Sequence, residues 1–296
     1  MYVLTGATGN TGKITAEALL QEKQKVRVLG RSAERLKGLA ARGAEPFACD
    51  VTDSTALARA FAGARAVYVM VPPDLTAPDV LAHYRRVTDS LAAALEQAQV
   101  THAVCLSSFG ADKPDKTGPV AGTHYLEQRF QRIPSLNALY LRAGYFMENM
   151  LAQIGVIRSM GMMAGPLHPD LKLPMIATCD IGHYAAHALL QLGFSGHQTR
   201  ELLGQRDISM SEVAPIIGAA IGKPALSYSK LPDLMLKPAL TQMGMSSDMA
   251  ARILELAAAL NSGYMRALEP RSPANTTPTS FETWVQQVFL PAFQGK

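Results

Sequence analysis

The chain contains no Cys-x-x-Cys pair and only three cysteines, Cys49, Cys105 and Cys179, an odd number at wide spacing. That pattern excludes a zinc ribbon, a thiol-exchange pair and a disulfide-stapled scaffold, and leaves reduced, buried thiols as the expectation. There is no His-Glu-x-x-His arrangement. Among the seven histidines, His183 and His187 stand four apart on an expected helix and read as two residues of one helix face, so no metal is expected. No apolar run reaches the roughly 20 residues that a membrane helix needs. No basic run is present either: 28 Lys and Arg against 24 Asp and Glu give a net charge of +4, and a nucleic-acid partner is not expected. The first apolar run begins at Met1 with no charged segment ahead of it, so the expected location is cytoplasmic.

What the 296 residues do contain is a repeated alternation of short β-rich runs and helical stretches. Strands are expected at 2–4, 25–29, 44–48, 66–71, 102–107 and 136–141, and helices near 11–21, 33–41, 54–61, 79–99 and 121–132. Right-handed crossovers through such a series give an α/β fold, a doubly wound parallel Rossmann sheet of order 3-2-1-4-5-6, with its ligand crevice at the carboxyl ends of the strands. After about residue 145, Gly, Met and Pro clusters break the alternation. The expected organisation is a dinucleotide-binding domain over 1–150 and a smaller C-terminal α/β substrate lobe over 151–296, partly interleaved with the sheet. In that second part Asp180 is expected to N-cap a helix over 181–192. A short strand is expected at 200–203, helices at 211–221, 249–260 and 281–288, and a Pro- and Thr-rich loop at 270–278.

The most informative segment is Thr5-Gly-Ala-Thr-Gly-Asn-Thr-Gly12, between the first strand and the first helix. Gly6, Gly9 and Gly12 recur at every third position, where absent side chains let backbone N–H groups approach a pyrophosphate and the helix N-terminus favours its charge. Thr8, Asn10 and Thr11 add polar groups to the same turn. The second strand ends in Gly30 and Arg31, without the acidic residue that grips a ribose 2′-hydroxyl. A guanidinium there pairs with a 2′-phosphate, which favours NADP over NAD, with NAD possible. After the third strand, Asp50 is placed to accept from the adenine amino group and Val51 to pack on the ring. Val71, Pro72 and Pro73 follow the fourth strand, Ser107 ends the fifth, and Gly144, Tyr145 and Phe146 follow the sixth.

Leu4-Thr-Gly-Ala-Thr-Gly-Asn-Thr-Gly12, Gly30-Arg-Ser32, Cys49-Asp-Val-Thr-Asp53, Ser107-Ser-Phe-Gly-Ala111 and Leu141-Arg-Ala-Gly-Tyr-Phe-Met-Glu-Asn149 together resemble the NmrA-like branch of the atypical short-chain dehydrogenases/reductases. The resemblance covers about the first 150 residues well. It implies the Rossmann fold, an NAD(P) cofactor and one of two activities. One is an NAD(P)H-dependent quinone oxidoreductase acting on a small quinone-like molecule. The alternative is a non-enzymatic NADP-binding sensor with a regulatory protein partner.

Ordinary short-chain reductases use a Tyr-x-x-x-Lys pair, and no tyrosine of this chain has a lysine four residues on. Where the family carries that pair, Val120 stands in the tyrosine position and His124 in the lysine position. Hydride transfer without a Tyr-Lys proton relay is therefore expected, to a quinone-like or conjugated carbonyl whose reduced anion is delocalised. His124 is the candidate acid and ribose contact, since histidine is the side chain best suited to proton transfer near neutral pH. Ser107 is the candidate for orienting a carbonyl, and Tyr145 lies beside the expected nicotinamide position.

Overall fold

The computed structural model describes residues 1–295. Seven strands form one all-parallel sheet: β1 (Tyr2–Leu4), β2 (Val26–Gly30), β3 (Glu45–Ala48), β4 (Ala66–Val69), β5 (His102–Ser108), β6 (Asn137–Ala143) and β7 (His197–Leu202). Their order across the sheet is β7-β6-β5-β4-β1-β2-β3. The expected 3-2-1-4-5-6 order is present, and β7 extends it beyond β6, pairing Arg200 with Leu141 and Leu202 with Ala143. This strand reads weakly in sequence because its first four residues are His-Gln-Thr-Arg and only Glu201 and Leu202 are buried.

The central strands are buried on both faces, so they read as continuous apolar runs, as in Ala66-Val-Tyr-Val69, whose four residues are all buried. Helices α1 (Asn10–Gln21), α2 (Ala33–Ala40), α3 (Ser54–Phe61), α4 (Val80–Gln97), α5 (Val120–Phe130) and α6 (Thr178–Gln191) cover those faces. Leu57 and Phe61 of α3, Val87 and Leu91 of α4 and Leu126 of α5 join Val3, Val67, Val69 and Tyr140 in one core. Leu19 of α1 and Ile181 and Leu189 of α6 join Leu4, Val28, Tyr68 and Leu141 in the other. Asp53 and Asp79 cap α3 and α4, accepting from the backbone N–H groups of Ala56 and Ala82.

A third core gathers residues that follow β6, including Met150, Ile157, Met175, Val213, Ile217, Phe281, Trp284 and Phe289. It lies among a 3-10 turn (Met147–Ala152), helices Gln153–Met160, Met210–Ala220 and Ser247–Asn261, and small sheets built from strands of two to four residues. The turn, the Gln153–Met160 helix and a helix at Asp233–Gln242 have no counterpart in the sequence reading. The last of these carries Pro238 in its interior, which disfavours a helical reading.

Asp180 does not N-cap its helix. The helix starts three residues earlier with Ala177 as N-cap, and Asp180 is buried in the first turn, accepting from the Thr279 hydroxyl (2.6 Å) and N–H (3.0 Å). The acceptor at this helix end is Glu148, which takes the Thr178 N–H (3.1 Å), the Thr178 hydroxyl (2.7 Å) and the Trp284 indole N–H (3.1 Å). Two long-range bonds thus replace the local cap that the sequence suggested.

Candidate cofactor and substrate cavity

Two of the three glycines of the turn stand where packing tolerates no side chain. Gly6 adopts φ +62°, in the left-handed region that favours glycine, and lies against the Met70 side chain. A Cβ on Gly12 would stand 2.8 Å from the Gly6 carbonyl carbon and 3.1 Å from Ala7 Cα, backbone atoms that cannot turn away. The buried Thr5 hydroxyl accepts the Met70 N–H (2.9 Å), which joins the turn to the end of β4. Gly182 of α6 approaches Ile14 and the Thr11 carbonyl closely, and the Thr15 hydroxyl donates to Gly182 O (3.2 Å), so α6 clamps α1 from behind.

Gly9 is the N-cap of α1 and has no side chain to accept from the first turn. The N–H groups at this helix end therefore remain as donors for an anion, reinforced by the helix dipole. Thr11 is buried and receives the Tyr68 hydroxyl on its Oγ1 (2.9 Å), whereas Thr8 and Asn10 are exposed at the rim.

A cavity of about 450 Å³ opens from this helix end. Gly9, Asn10 and Thr11 form one end, and Met70, Val71 and Pro73 after β4 form one side. Leu106, Ser107 and Ser108 from the end of β5, with Pro119 at the start of α5 and Val120 and Thr123 within it, form a further wall, and Tyr84 and Phe146 contribute aromatic surface. One continuous space thus joins the phosphate-type turn to an apolar chamber with a few hydroxyls.

Of the residues singled out from sequence, Gly9, Asn10, Thr11, Val71, Pro73, Ser107 and Phe146 reach this cavity. Gly6, Thr8 and Gly12 belong to its turn without lining it. Arg31 and Asp50 are exposed at the carboxyl ends of β2 and β3. Asp50 accepts the Thr52 N–H (2.8 Å) and hydroxyl (2.8 Å), both on Oδ1. Those bonds hold its carboxyl below the ordinary carboxylate range, and the Arg31 charge adds to the effect. Val51 packs against the first core.

Pro72 stands behind the wall, its carbonyl bound to the His83 ring (2.9 Å). Gly144 is buried with its N–H on Leu202 O (2.9 Å), and Tyr145 packs against the third core, where burial pushes its phenol up to about 12. His124 is not brought together with Ser107. Its Nδ1 bonds the Ala111 carbonyl (2.8 Å), and the residue lines a separate hollow of about 100 Å³ with Arg85 and Tyr125. His183 and His187 are exposed on α6. Among the described residues no group of three or more His, Cys, Asp and Glu side chains is arranged to hold a metal ion, and no helix is long and apolar enough to cross a membrane.

Two features of the cavity were not read from sequence. Tyr84 comes from α4, and it reaches the wall because Gly122 of α5 leaves room for its ring: a Cβ at Gly122 would lie 2.7 Å from Tyr84 Cβ and nearer still to the ring. Burial pushes the Tyr84 phenol up to about 12, so it is a neutral hydrogen-bond donor at physiological pH. The second feature is Glu127, 1% exposed, which accepts the Ser107 hydroxyl (2.5 Å) and a two-pronged bond from Arg142, Nε to Oε1 (3.0 Å) and Nη2 to Oε2 (2.6 Å). Burial alone would weaken the Arg142 charge, but its bonds with Glu127 outweigh that and raise its pKa. Glu127 has no role in the sequence reading; the pairing of β5 with β6 sets Arg142 beside Ser107, and both side chains meet Glu127 of α5.

Comparison with known proteins agrees with this geometry. The NmrA-like family model matches residues 2–284. The chain is 29% identical over 278 residues, 93% of each chain, to an NAD(P)H azoreductase of Xenophilus azovorans. Its fold superposes on the NADPH-dependent quinone oxidoreductase QOR2 of Escherichia coli in complex with NADPH (TM-score 0.74, 21% identity, 98% of this chain and 100% of that one). It also superposes on the Citrobacter sp. triphenylmethane reductase in complex with NADP(H) (TM-score 0.80, 19% identity, 97% and 99%).

Proposed function

This chain belongs to the NmrA-like family, and on that premise we propose that it is an NAD(P)H-dependent oxidoreductase that reduces a flat, conjugated acceptor of the quinone or azo type. The observation that carries the reading is the single cavity that runs from the uncapped N-terminus of α1 to Ser107, Tyr84 and Phe146. The donor set of the turn fits a pyrophosphate, and the space beyond it suits an aromatic ring. The bound cofactor supplies a hydride. Arg31, exposed just after β2 at the position where an acidic residue would select NAD, supports NADPH as the preferred form.

The chain's own residues bind and orient. Gly9, Asn10 and Thr11 present the helix end to the phosphates, while Val71, Pro73 and Val120 exclude water from the ring-sized chamber. No tyrosine of this chain has a lysine four residues on, and Val120, at the position read as equivalent to the tyrosine of that pair, lines the cavity. That arrangement supports acceptors whose reduced form is a delocalised anion that solvent can protonate, over simple ketones. The 29% identity to an NAD(P)H azoreductase supports the same class.

The test is loss of nicotinamide absorbance with NADPH or NADH against a panel of quinones, azo dyes and unconjugated ketones. Turnover of the conjugated acceptors with NADPH preferred is expected. Tight NADPH binding with no turnover of any acceptor would overturn the reading and leave a cofactor-binding sensor.

A further inference from the structure

The hydroxyls on the β5–α5 wall of the cavity share one property. Ser107 Oγ donates to Glu127 Oε1 (2.5 Å), Ser108 Oγ donates to the Phe109 carbonyl (3.0 Å), and Thr123 Oγ1 donates to the Val120 carbonyl (2.8 Å). A hydroxyl has one proton to give and two lone pairs to offer. A backbone carbonyl has no proton to return. The Glu127 carboxylate, ion-paired with Arg142 and 1% exposed, has none either, so the direction of all three bonds is fixed by the partners. The bond at Ser107 is the firmest of them, because its length is that of a charge-assisted O–H···O⁻ bond.

We propose that this wall is a hydrogen-bond acceptor surface, and that Ser107, with its proton pinned by the Glu127–Arg142 pair, selects aromatic acceptors carrying an N–H or O–H donor on the edge that faces it. The inference rests on the cavity being the substrate chamber, as argued above. A carbonyl or a bare ring edge placed against this wall meets lone pairs and gains nothing. An amino or hydroxyl substituent meets an acceptor of suitable type, and a buried donor satisfied in this way avoids the cost of being left unpaired. Ser107 is the specificity-determining group. Glu127 and Arg142 are positioning residues that act through it and never touch the ligand.

The experiment uses the whole protein saturated with NADP⁺, so that no reduction occurs, and titrates it calorimetrically with 2-amino-1,4-naphthoquinone and 2-methyl-1,4-naphthoquinone, which are alike in size and differ in one donor. Wild type is expected to bind the amino compound about tenfold more tightly, the factor one ordinary hydrogen bond supplies. Ser107→Ala removes the acceptor and should cut that ratio to below about threefold while leaving the methyl compound within about twofold of wild type. The double variant Glu127→Leu/Arg142→Met removes the pin without stranding a buried charge, which frees the serine proton to turn into the cavity, and the ratio should again collapse. If the double variant does not fold, as its thermal melt will show, Ser107→Ala still decides the matter.

Equal affinity of wild type for the two quinones would overturn the inference. So would an equal loss of both in Ser107→Ala, which would mark Ser107 as a donor to the quinone carbonyl, or a ratio that survives in a folded double variant. Absence of binding by either quinone would overturn the assignment of the chamber itself, and the inference with it.

Discussion

Replacing Gly12 with alanine and Gly9 with alanine should separate two roles that one turn combines. At Gly12 the added methyl would sit 2.8 Å from the Gly6 carbonyl carbon and 3.1 Å from Ala7 Cα. Neither atom belongs to a side chain that can rotate away, so the turn must lift off α1. Overpacking of this kind costs about 1–3 kcal/mol, or roughly 2–6 °C of melting temperature for a chain of this size. The same displacement moves the N–H groups away from their ligand, and NADPH should bind at least about tenfold more weakly.

At Gly9 the backbone is ordinary, with φ −86° and ψ 173°, and the nearest atom to an added Cβ is Gly6 O at 3.3 Å. Stability should therefore stay within about 1 kcal/mol of wild type. Affinity should still fall at least about tenfold, because the methyl enters the space a pyrophosphate must occupy beside the helix end. Thermal melts of the apo proteins and NADPH titrations on the same samples read both quantities. A Gly12→Ala protein that melts and binds like wild type would refute the packing argument. A Gly9→Ala protein with unchanged NADPH affinity would refute the placement of the phosphates.

Other outcomes follow from the same structure. Arg31→Ala should weaken NADPH binding at least about tenfold while changing NADH binding by less than about twofold, since only the former carries the 2′-phosphate a guanidinium pairs with; equal losses would remove the cofactor-preference argument. Glu127→Ala leaves Arg142 buried without its carboxylate and should cost about 3–5 kcal/mol in denaturant unfolding, whereas the paired Leu/Met replacement should cost far less. Glu212 accepts from Lys172 and from the Ser209 N–H and hydroxyl, which lowers its carboxyl to about 2. A folded value below the unfolded one means stability that is complete above the ordinary Glu range and lost as pH falls toward 2. The melting advantage of wild type over Glu212→Gln should accordingly be full at neutral pH and shrink through that acid window.

What the sequence made legible is what local chemistry dictates. The glycine turn was readable because left-handed backbone at Gly6 and close backbone approach at Gly12 leave few other residues able to serve. Strands β1, β4, β5 and β6 were readable because burial on both faces demands apolar runs, whereas β3, at the sheet edge, is largely exposed and carries Glu45 and Pro46. β7 was seen only as a short strand at 200–203, since its exposed first half carries no such run, and its place in the sheet depends on pairing with β6.

The cavity divides in the same way. Ser107 and Phe146 were found from their positions at strand ends. Tyr84 was missed because a tyrosine within α4 carries no local signal, and only the gap at Gly122 admits its ring to the wall. His124 was read by analogy with the family's lysine position, while its ring is turned toward the Ala111 carbonyl and the smaller hollow. Asp180 looked like a cap because acidic residues suit helix starts, yet its carboxylate serves Thr279 from across the fold. In each case the deciding partner is distant in sequence.

Whether this cavity passes hydride from NADPH to a conjugated acceptor is decided by a single-turnover experiment. A preformed complex of the protein with one equivalent of NADPH is mixed rapidly with excess naphthoquinone, and the reduced-nicotinamide absorbance is followed. Exponential loss of the full equivalent is expected, far faster than in a protein-free control and slowed in Gly9→Ala. A complex that holds its NADPH unoxidised through the time course of that control would contradict hydride transfer in this cavity.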